Sequence, residues 1–167
     1  MKFRAGLGYD IHRLEAGRKL FLGGLEIPFP KGLHGHSDGD CLIHSMIDAL
    51  LGAMGEGDIG QLFPDSEEKY KDIRSTELLK EVMARLDAKG MEIVNVDTVI
   101  VAEEPRLSPY ILRMKELLSA LLRVDKNNLG IKAKTNEGIG LIGEGKAIAC
   151  WALVILGKRE KKRGKKA

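Results

Sequence analysis

The chain is poor in the residues that staple small or secreted proteins. It has two cysteines in 167 residues, Cys41 and Cys150, far apart and each set among apolar neighbours. They form no CxxC pair, so they argue against a disulfide framework and read as small buried side chains of a reducing compartment. Aromatic residues are 5% of the chain, and none is interleaved with the basic run that ends it. Long apolar runs are absent too. The longest unbroken one, Ala147 to Leu156, is 10 residues, about half of what a membrane-spanning helix needs. Near the start Lys2 and Arg4 lead into Gly8, Tyr9 and Asp10, which is not the apolar core of a signal peptide. The expectation is a cytoplasmic protein with no membrane partner. Glutamine occurs once, as Gln61, in a composition that is 31% charged and rich in Lys and Glu, a bias found in heat-adapted proteins.

What is present begins with charge. The formal net charge is +3, but Lys158, Arg159, Lys161, Lys162, Arg163, Lys165 and Lys166 crowd the C-terminal end, and without them the body is mildly acidic. Such a run binds nucleic acid or anionic lipid in some proteins; without aromatics it reads first as a solvated, disordered tail, and no nucleic-acid partner is expected. The expected organisation is one domain over residues 1–157 and a basic tail over 158–167. One domain of this length buries a sufficient core without a structural metal. A metal bound here is therefore free to be catalytic.

Residues 2–12 alternate loosely as a first strand, and Lys19 to Ile27 reads as a hairpin around Gly23-Gly24. After Pro28 and Pro30, a loop dense in Gly, His and Asp runs into the apolar helical pattern Leu42, Ile43, Met46, Ile47, Leu50, Leu51, with Asp38 or Asp40 as its N-cap. Asp40, His44 and Asp48 recur every fourth residue and share one face of that helix, apart from its apolar stripe. An ordered loop with two acids spans Asp58 to Asp65. A second helix follows from Ser75 to Lys89, ended by Gly90; then a strand over 91–101, a third helix from Ser108 or Pro109 to Leu122, a strand from Leu129 to Thr135, a loop over 136–145 and a last strand from Ala147 to Leu156. This order predicts an α+β fold, a mixed sheet with helices packed on one face. The apolar last strand predicts that the other face is buried against further copies of the chain.

The most pointed chemistry is in Gly8-Tyr9-Asp10-Ile11-His12. Side chains alternate along a strand, so Asp10 and His12 share a face and can reach one ion. With His44 they form a set that Zn²⁺ accepts, and three protein ligands leave a position open for substrate.

Taken together, Gly8-Tyr-Asp-Ile-His12, His36-Ser-Asp-Gly-Asp40 with His44, Asp48-Ala-Leu-Leu-Gly52, Gly57-Asp-Ile-Gly60 with Leu62-Phe-Pro-Asp65, and Lys134-Thr-Asn-Glu137 closely resemble, in order and spacing, the 2-C-methyl-D-erythritol 2,4-cyclodiphosphate synthases of the non-mevalonate route to isoprenoids. The resemblance covers residues 2 to about 157. It implies a homotrimer with active sites between subunits. It also implies the intramolecular attack of the 2-phosphate of 4-diphosphocytidyl-2-C-methyl-D-erythritol 2-phosphate on its own β-phosphorus, releasing CMP as a cyclic diphosphate forms. By position, Asp10, His12 and His44 would hold Zn²⁺, and Glu137 would hold a second ion, Mg²⁺ or Mn²⁺, on the phosphates. The implied catalytic set is His36, Asp58, Thr135 and Glu137. His36, Ser37, Asp58, Gly60 and Asp65 would bind the erythritol phosphate part. Ala102, Pro105, Arg106, Leu107 and Ser108 would form the cytosine pocket given by a neighbouring subunit, with Lys134, Thr135 and Asn136 near the α-phosphate. Asp48, one turn from His44, either orients that imidazole or is a surface acid. His34 has no counterpart and reads as satisfying its own loop.

The chain departs from that pattern at Lys134 and Asn136, where hydroxyl residues are common, and at Leu141 and Glu144, where some members place Phe and Arg toward a central cavity that takes isoprenoid diphosphates. An acid there predicts weak binding of farnesyl or geranyl diphosphate. Two rival readings remain at this point: a zinc-dependent phosphoester hydrolase on the same ligands, and a non-enzymatic CDP-binding module.

Overall fold

The computed structural model describes residues 2–159. Its main sheet has five strands in the order β4-β1-β7-β5-β6: β1 (Arg4–Ala16), β4 (Lys31–Leu33), β5 (Met91–Val101), β6 (Leu129–Lys134) and β7 (Ala147–Lys158). β1, β7 and β5 pair antiparallel while β5 and β6 run parallel, so the sheet is mixed. The hairpin at Gly23-Gly24 forms a separate two-stranded ribbon of β2 (Leu20–Leu22) and β3 (Leu25–Ile27). The helices are α1 (Cys41–Met54), α2 (Ile59–Leu62), α3 (Ser75–Ala88), α4 (Ile111–Leu122) and α5 (Gly140–Gly143). α+β architecture is thus borne out. The short elements α2, α5 and β4 were not legible as periodic segments, because three or four residues carry no period.

The main helices cover one sheet face, and α1 lies closest. On β1 the positions facing α1 include Gly6 and Gly8. A Cβ at Gly6 would stand 1.9 Å from the Ala49 carbonyl oxygen, and one at Gly8 would stand 1.9 Å from that of Ser45. The helix backbone therefore rests directly on the strand, small residue to small residue. This contact, with β7 alongside and α3 behind, buries α1 nearly all round. The single apolar stripe read from the sequence is corrected accordingly: Asp40 and His44 are buried as well. Cys41 on α1 and Cys150 on β7 meet in this layer as free buried thiols with sulfurs 3.1 Å apart, and burial pushes both thiols up from their ordinary value.

On the opposite sheet face β1 and β7 present an apolar patch that none of the described residues covers. Leu7, Tyr9, Ile11, Trp151 and Leu153 stand on it with relative exposures of 70%, 47%, 42%, 37% and 42%. The strand β1 runs four residues past His12 before ending at Ala16, so Asp10 and His12 sit within a paired strand rather than at its tip. At the other end Lys158 still belongs to β7 and Arg159 donates its backbone N–H to Gly90. The remaining expected tail positions, 160–167, lie outside the described residues.

Candidate metal centre

Three ligand atoms converge where β1 meets α1. Asp10 Oδ2 lies 2.9 Å from His12 Nε2 and 3.0 Å from His44 Nδ1, and the two nitrogens are 3.2 Å apart. Gly6 and Gly8 let α1 descend far enough for this. Neighbouring ligands of a tetrahedral zinc at ordinary bond lengths stand about 3.3 Å apart, so the three atoms need only open slightly around an ion. Asp10, His12 and His44 are a group able to hold a metal.

Each imidazole is turned by a bond on its far side. His12 Nδ1 is 2.5 Å from the His34 carbonyl oxygen; a carbonyl only accepts, so Nδ1 carries the hydrogen and Nε2 is left for the metal. His34 thus serves the site through its backbone, while its side chain meets Glu15 at 2.8 Å. His44 Nε2 meets Ser75 Oγ at 2.8 Å and Ser37 Oγ at 3.1 Å. Asp48 does not orient His44: its carboxylate accepts the Ile59 backbone N–H at 2.7 Å and so holds the start of α2. Of the two roles the sequence left open for Asp48, the orienting one is corrected, since both ring nitrogens of His44 meet other partners. Burial raises the Asp10 carboxyl, but the hydrogen bonds and charges of His12 and His44 outweigh it and hold the group well below the usual carboxylate range. Burial lowers His12, and the Asp10 bond and charge with the His34 carbonyl outweigh it, so its pKa is raised.

The run His36 to Asp40 divides its labour residue by residue. Asp40 is the N-cap, taking the Ile43 N–H at 3.1 Å and also the hairpin N–H groups of Gly23 and Gly24 at 2.9 and 2.7 Å. Burial and the nearby Asp38 charge raise its pKa. Gly39 has φ +73 and lies against the Leu33 carbonyl, a conformation and a contact that a side chain would disfavour. Asp38 reaches α3, accepting from Arg74 Nε, Ser75 N and Ser75 Oγ at 3.0, 3.1 and 2.5 Å. His36 Nε2 is buried without a partner.

The metal group forms part of the wall of a cavity of about 390 Å³, together with His36, Ser37, Gly60, Asp65, Phe63 and Tyr70. Asp58 does not line it; it caps α2, accepting the Gln61 N–H at 2.9 Å. A second group forms elsewhere. Ala102 N bonds the Lys134 carbonyl at 2.9 Å, Asn136 N bonds Glu103 at 3.1 Å, Thr135 donates to Glu137, and Arg106 Nε meets Ser108 at 3.0 Å. Pro105 follows a cis bond, and Ala102 and Leu107 are buried beneath this group. None of these residues borders the metal cavity. Asp10, Cys150, Ile100 and Ala133 form one row across four strands, which puts the two groups roughly 14 Å apart at ordinary strand spacing. The sequence reasoning missed Ser75, whose only signal was its place at the start of an amphipathic helix.

Fold and site together define an α+β protein whose candidate metal centre offers three protein ligands and opens into a cavity of mixed polar and apolar lining. A family model, the YgbB family, matches residues 3–157, and the chain belongs to that family. The 2-C-methyl-D-erythritol 2,4-cyclodiphosphate synthase of Caldicellulosiruptor bescii is 53% identical over 92% of this chain and 98% of its own length. That of Treponema denticola is 50% identical over 92% and 95%. Among solved structures, a 2C-methyl-D-erythritol-2,4-cyclodiphosphate synthase bound to CDP superposes with TM-score 0.86 at 40% identity, covering 92% of this chain and all of that one. The bifunctional IspDF of Campylobacter jejuni gives 0.88 at 38% over 93% of this chain, which spans 42% of it.

Proposed function

We propose that this chain converts 4-diphosphocytidyl-2-C-methyl-D-erythritol 2-phosphate to 2-C-methyl-D-erythritol 2,4-cyclodiphosphate and CMP. In that reaction an oxygen of the 2-phosphate attacks the β-phosphorus, and the bond from that phosphorus to the oxygen shared with the α-phosphate breaks. The nucleophile is already an anion, so no side chain need remove a proton. Positioning and charge neutralisation are what such a transfer requires. The observation that carries the reading is the convergence of Asp10, His12 and His44 on the wall of the cavity, in a chain whose relatives over nearly its whole length are synthases of this kind. None of those relatives is a hydrolase, and the rival hydrolase reading has no support.

A zinc ion on Asp10, His12 and His44 would supply a Lewis acid toward a phosphate oxygen. His36, with its unpaired Nε2, and Ser37 bind the phosphate end. Asp58, Gly60 and Asp65 keep the adjoining loop in shape around the erythritol part. Glu137, an exposed carboxylate beside the Thr135 hydroxyl, suits Mg²⁺ or Mn²⁺, hard ions that keep water and substrate oxygens as their other ligands. Lys134 and Asn136 lie beside it, and Ala102, Pro105, Arg106, Leu107 and Ser108 form the cytosine pocket. These groups stand too far from the metal centre of their own chain to share one diphosphate, so a neighbouring copy supplies them. The exposed apolar sheet face supports a homotrimer. Glu144, paired with Lys146 at 2.6 Å, offers isoprenoid diphosphates no cation of its own.

The assay is CMP release from the named substrate with phosphorus NMR of the mixture. The cyclic diphosphate is expected; free phosphate, or no turnover with zinc and Mg²⁺ present, overturns the reading.

A further inference from the structure

Two hydroxyls face the same nitrogen of His44, and they are not equivalent. Ser75 Oγ, completely buried, lies 2.5 Å from Asp38 Oδ1. Asp38 is otherwise surrounded by donors: Arg74 Nε at 3.0 Å and Ser75 N at 3.1 Å on one oxygen, Asp40 N at 3.2 Å on the other. A carboxylate held this way accepts only, so the Ser75 hydroxyl hydrogen is committed to it. Toward His44, 2.8 Å away, Ser75 then has only a lone pair to offer. His44 Nε2 must carry a hydrogen, so Nδ1, which faces Asp10 at 3.0 Å and His12 at 3.2 Å, is the nitrogen offered to an ion. Ser37, whose Oγ lies 3.1 Å from that same Nε2–H and takes the Gly39 N–H at 3.3 Å, is therefore an acceptor on both sides. Its own hydrogen is unspent, and Ser37 borders the cavity.

We infer that Ser75 and Asp38 are positioning residues for the metal centre: they lock His44 in the tautomer that presents Nδ1, and they free the Ser37 hydroxyl to donate to a ligand oxygen. The carboxylate, hydroxyl and imidazole form a relay from α3 to α1. Arg74 braces the relay by also bonding the Gly24 carbonyl at 2.9 Å and lying over the Phe21 ring at 4.0 Å. Outer partners of this kind set metal affinity as well as ring orientation. The inference rests on the reading of Asp10, His12 and His44 as a zinc site.

The two serines make the test. Zinc affinity is measured by chelator competition on the full chain, alongside the visible spectrum of the Co²⁺-loaded protein. Ser75→Ala is expected to weaken zinc binding by about 10–100-fold and to shift the cobalt bands, whereas Ser37→Ala changes affinity less than about 3-fold and leaves the bands in place. Ser75→Thr, which keeps the hydroxyl, restores the bands. Long-range proton–nitrogen NMR of the histidine rings reads the tautomer directly and does not depend on how well a variant folds. Hydrogen on His44 Nε2 is expected in the wild type; hydrogen on Nδ1 alone, or Ser75→Ala and Ser37→Ala behaving alike, overturns the inference. If the wild type takes up no zinc, the metal reading itself fails, and the ring spectrum of the metal-free protein still decides whether Ser75 sets the tautomer.

Discussion

At the scale of single residues the metal centre is a contest between protons and a cation. His44→Ala removes one of three ligands that nothing nearby replaces. Zinc affinity is expected to fall by more than about 100-fold, beyond the usual effect of an outer partner, with assembly retained; metal content after dialysis and the molecular mass check the two halves. His12 gives a pH prediction. Its folded pKa is raised above the ordinary 6.5. In metal-free protein its pairing with Asp10 therefore contributes stability that is fully present below that value and lost as pH rises through the folded pKa. Asp10 is depressed below its ordinary 3.8, so its share is lost only on strong acidification. The destabilisation caused by His12→Asn in metal-free protein should thus be largest just below pH 6.5 and fade as pH rises through the folded pKa, as melting temperatures measured across that range will show. Zinc affinity runs the other way, rising with pH as the proton on His12 is displaced. Glu144 gives the last residue-scale prediction: calorimetric titration with geranyl diphosphate should show no tight saturable binding.

Between elements, the decisive contact is α1 on β1. Gly8→Ala would push a methyl to 1.9 Å from the Ser45 carbonyl oxygen, which is backbone and cannot swing aside. The helix must lift, at a cost of about 3 kcal/mol by the overpacking range. For a chain of this size that is a loss of roughly 6–12 °C in melting temperature. Because His44 rides on α1 and Asp10 and His12 on β1, zinc binding should weaken in the same variant. A melting temperature within about 2 °C of wild type would show that the two glycines are not what sets the helix height. The elements also explain what was readable. α1, α3, β5 and β7 announced themselves by long periodic patterns, and their observed bounds lie within a few residues of those expected. α2 and α5 are single turns built on Asp58 and on glycine geometry, and no periodicity can reveal them.

The whole molecule has a sheet with one finished face and one unfinished one. Leu7, Tyr9, Ile11, Trp151 and Leu153 form a continuous exposed apolar surface, with the Tyr9 and Trp151 rings 4.8 Å apart. Covering it by other copies is the proposed route to a complete site, since the Glu137 group and the metal group lie on different parts of one chain. Light scattering should give the mass of three chains for wild type. Leu153→Glu, which sets a carboxylate in the middle of that face, should yield single chains that release no CMP yet keep their zinc, because the whole triad belongs to one chain. A single-chain mass for wild type, or full activity in a monomeric variant, would end the trimer proposal.

The sequence by itself determined the α+β class and the principal helices and strands, because strand and helix periodicity are local properties of the chain, and it grouped Asp10, His12 and His44 through motifs that resemble those of a known family. Tertiary structure decided the rest. That Asp40 rather than Asp38 caps α1, that Asp48 serves α2 instead of His44, and that Ser75 and the His34 carbonyl turn the imidazoles all depend on which distant segments pack together. Residues 36–38 and 72–75 are bonded side by side, His36 O to Asp72 N at 2.8 Å and Asp38 N to Ile73 O at 3.0 Å. No periodicity or motif marks Ser75 as the partner of His44; only the closure of α1 and α3 onto the same sheet face brings that hydroxyl to that ring.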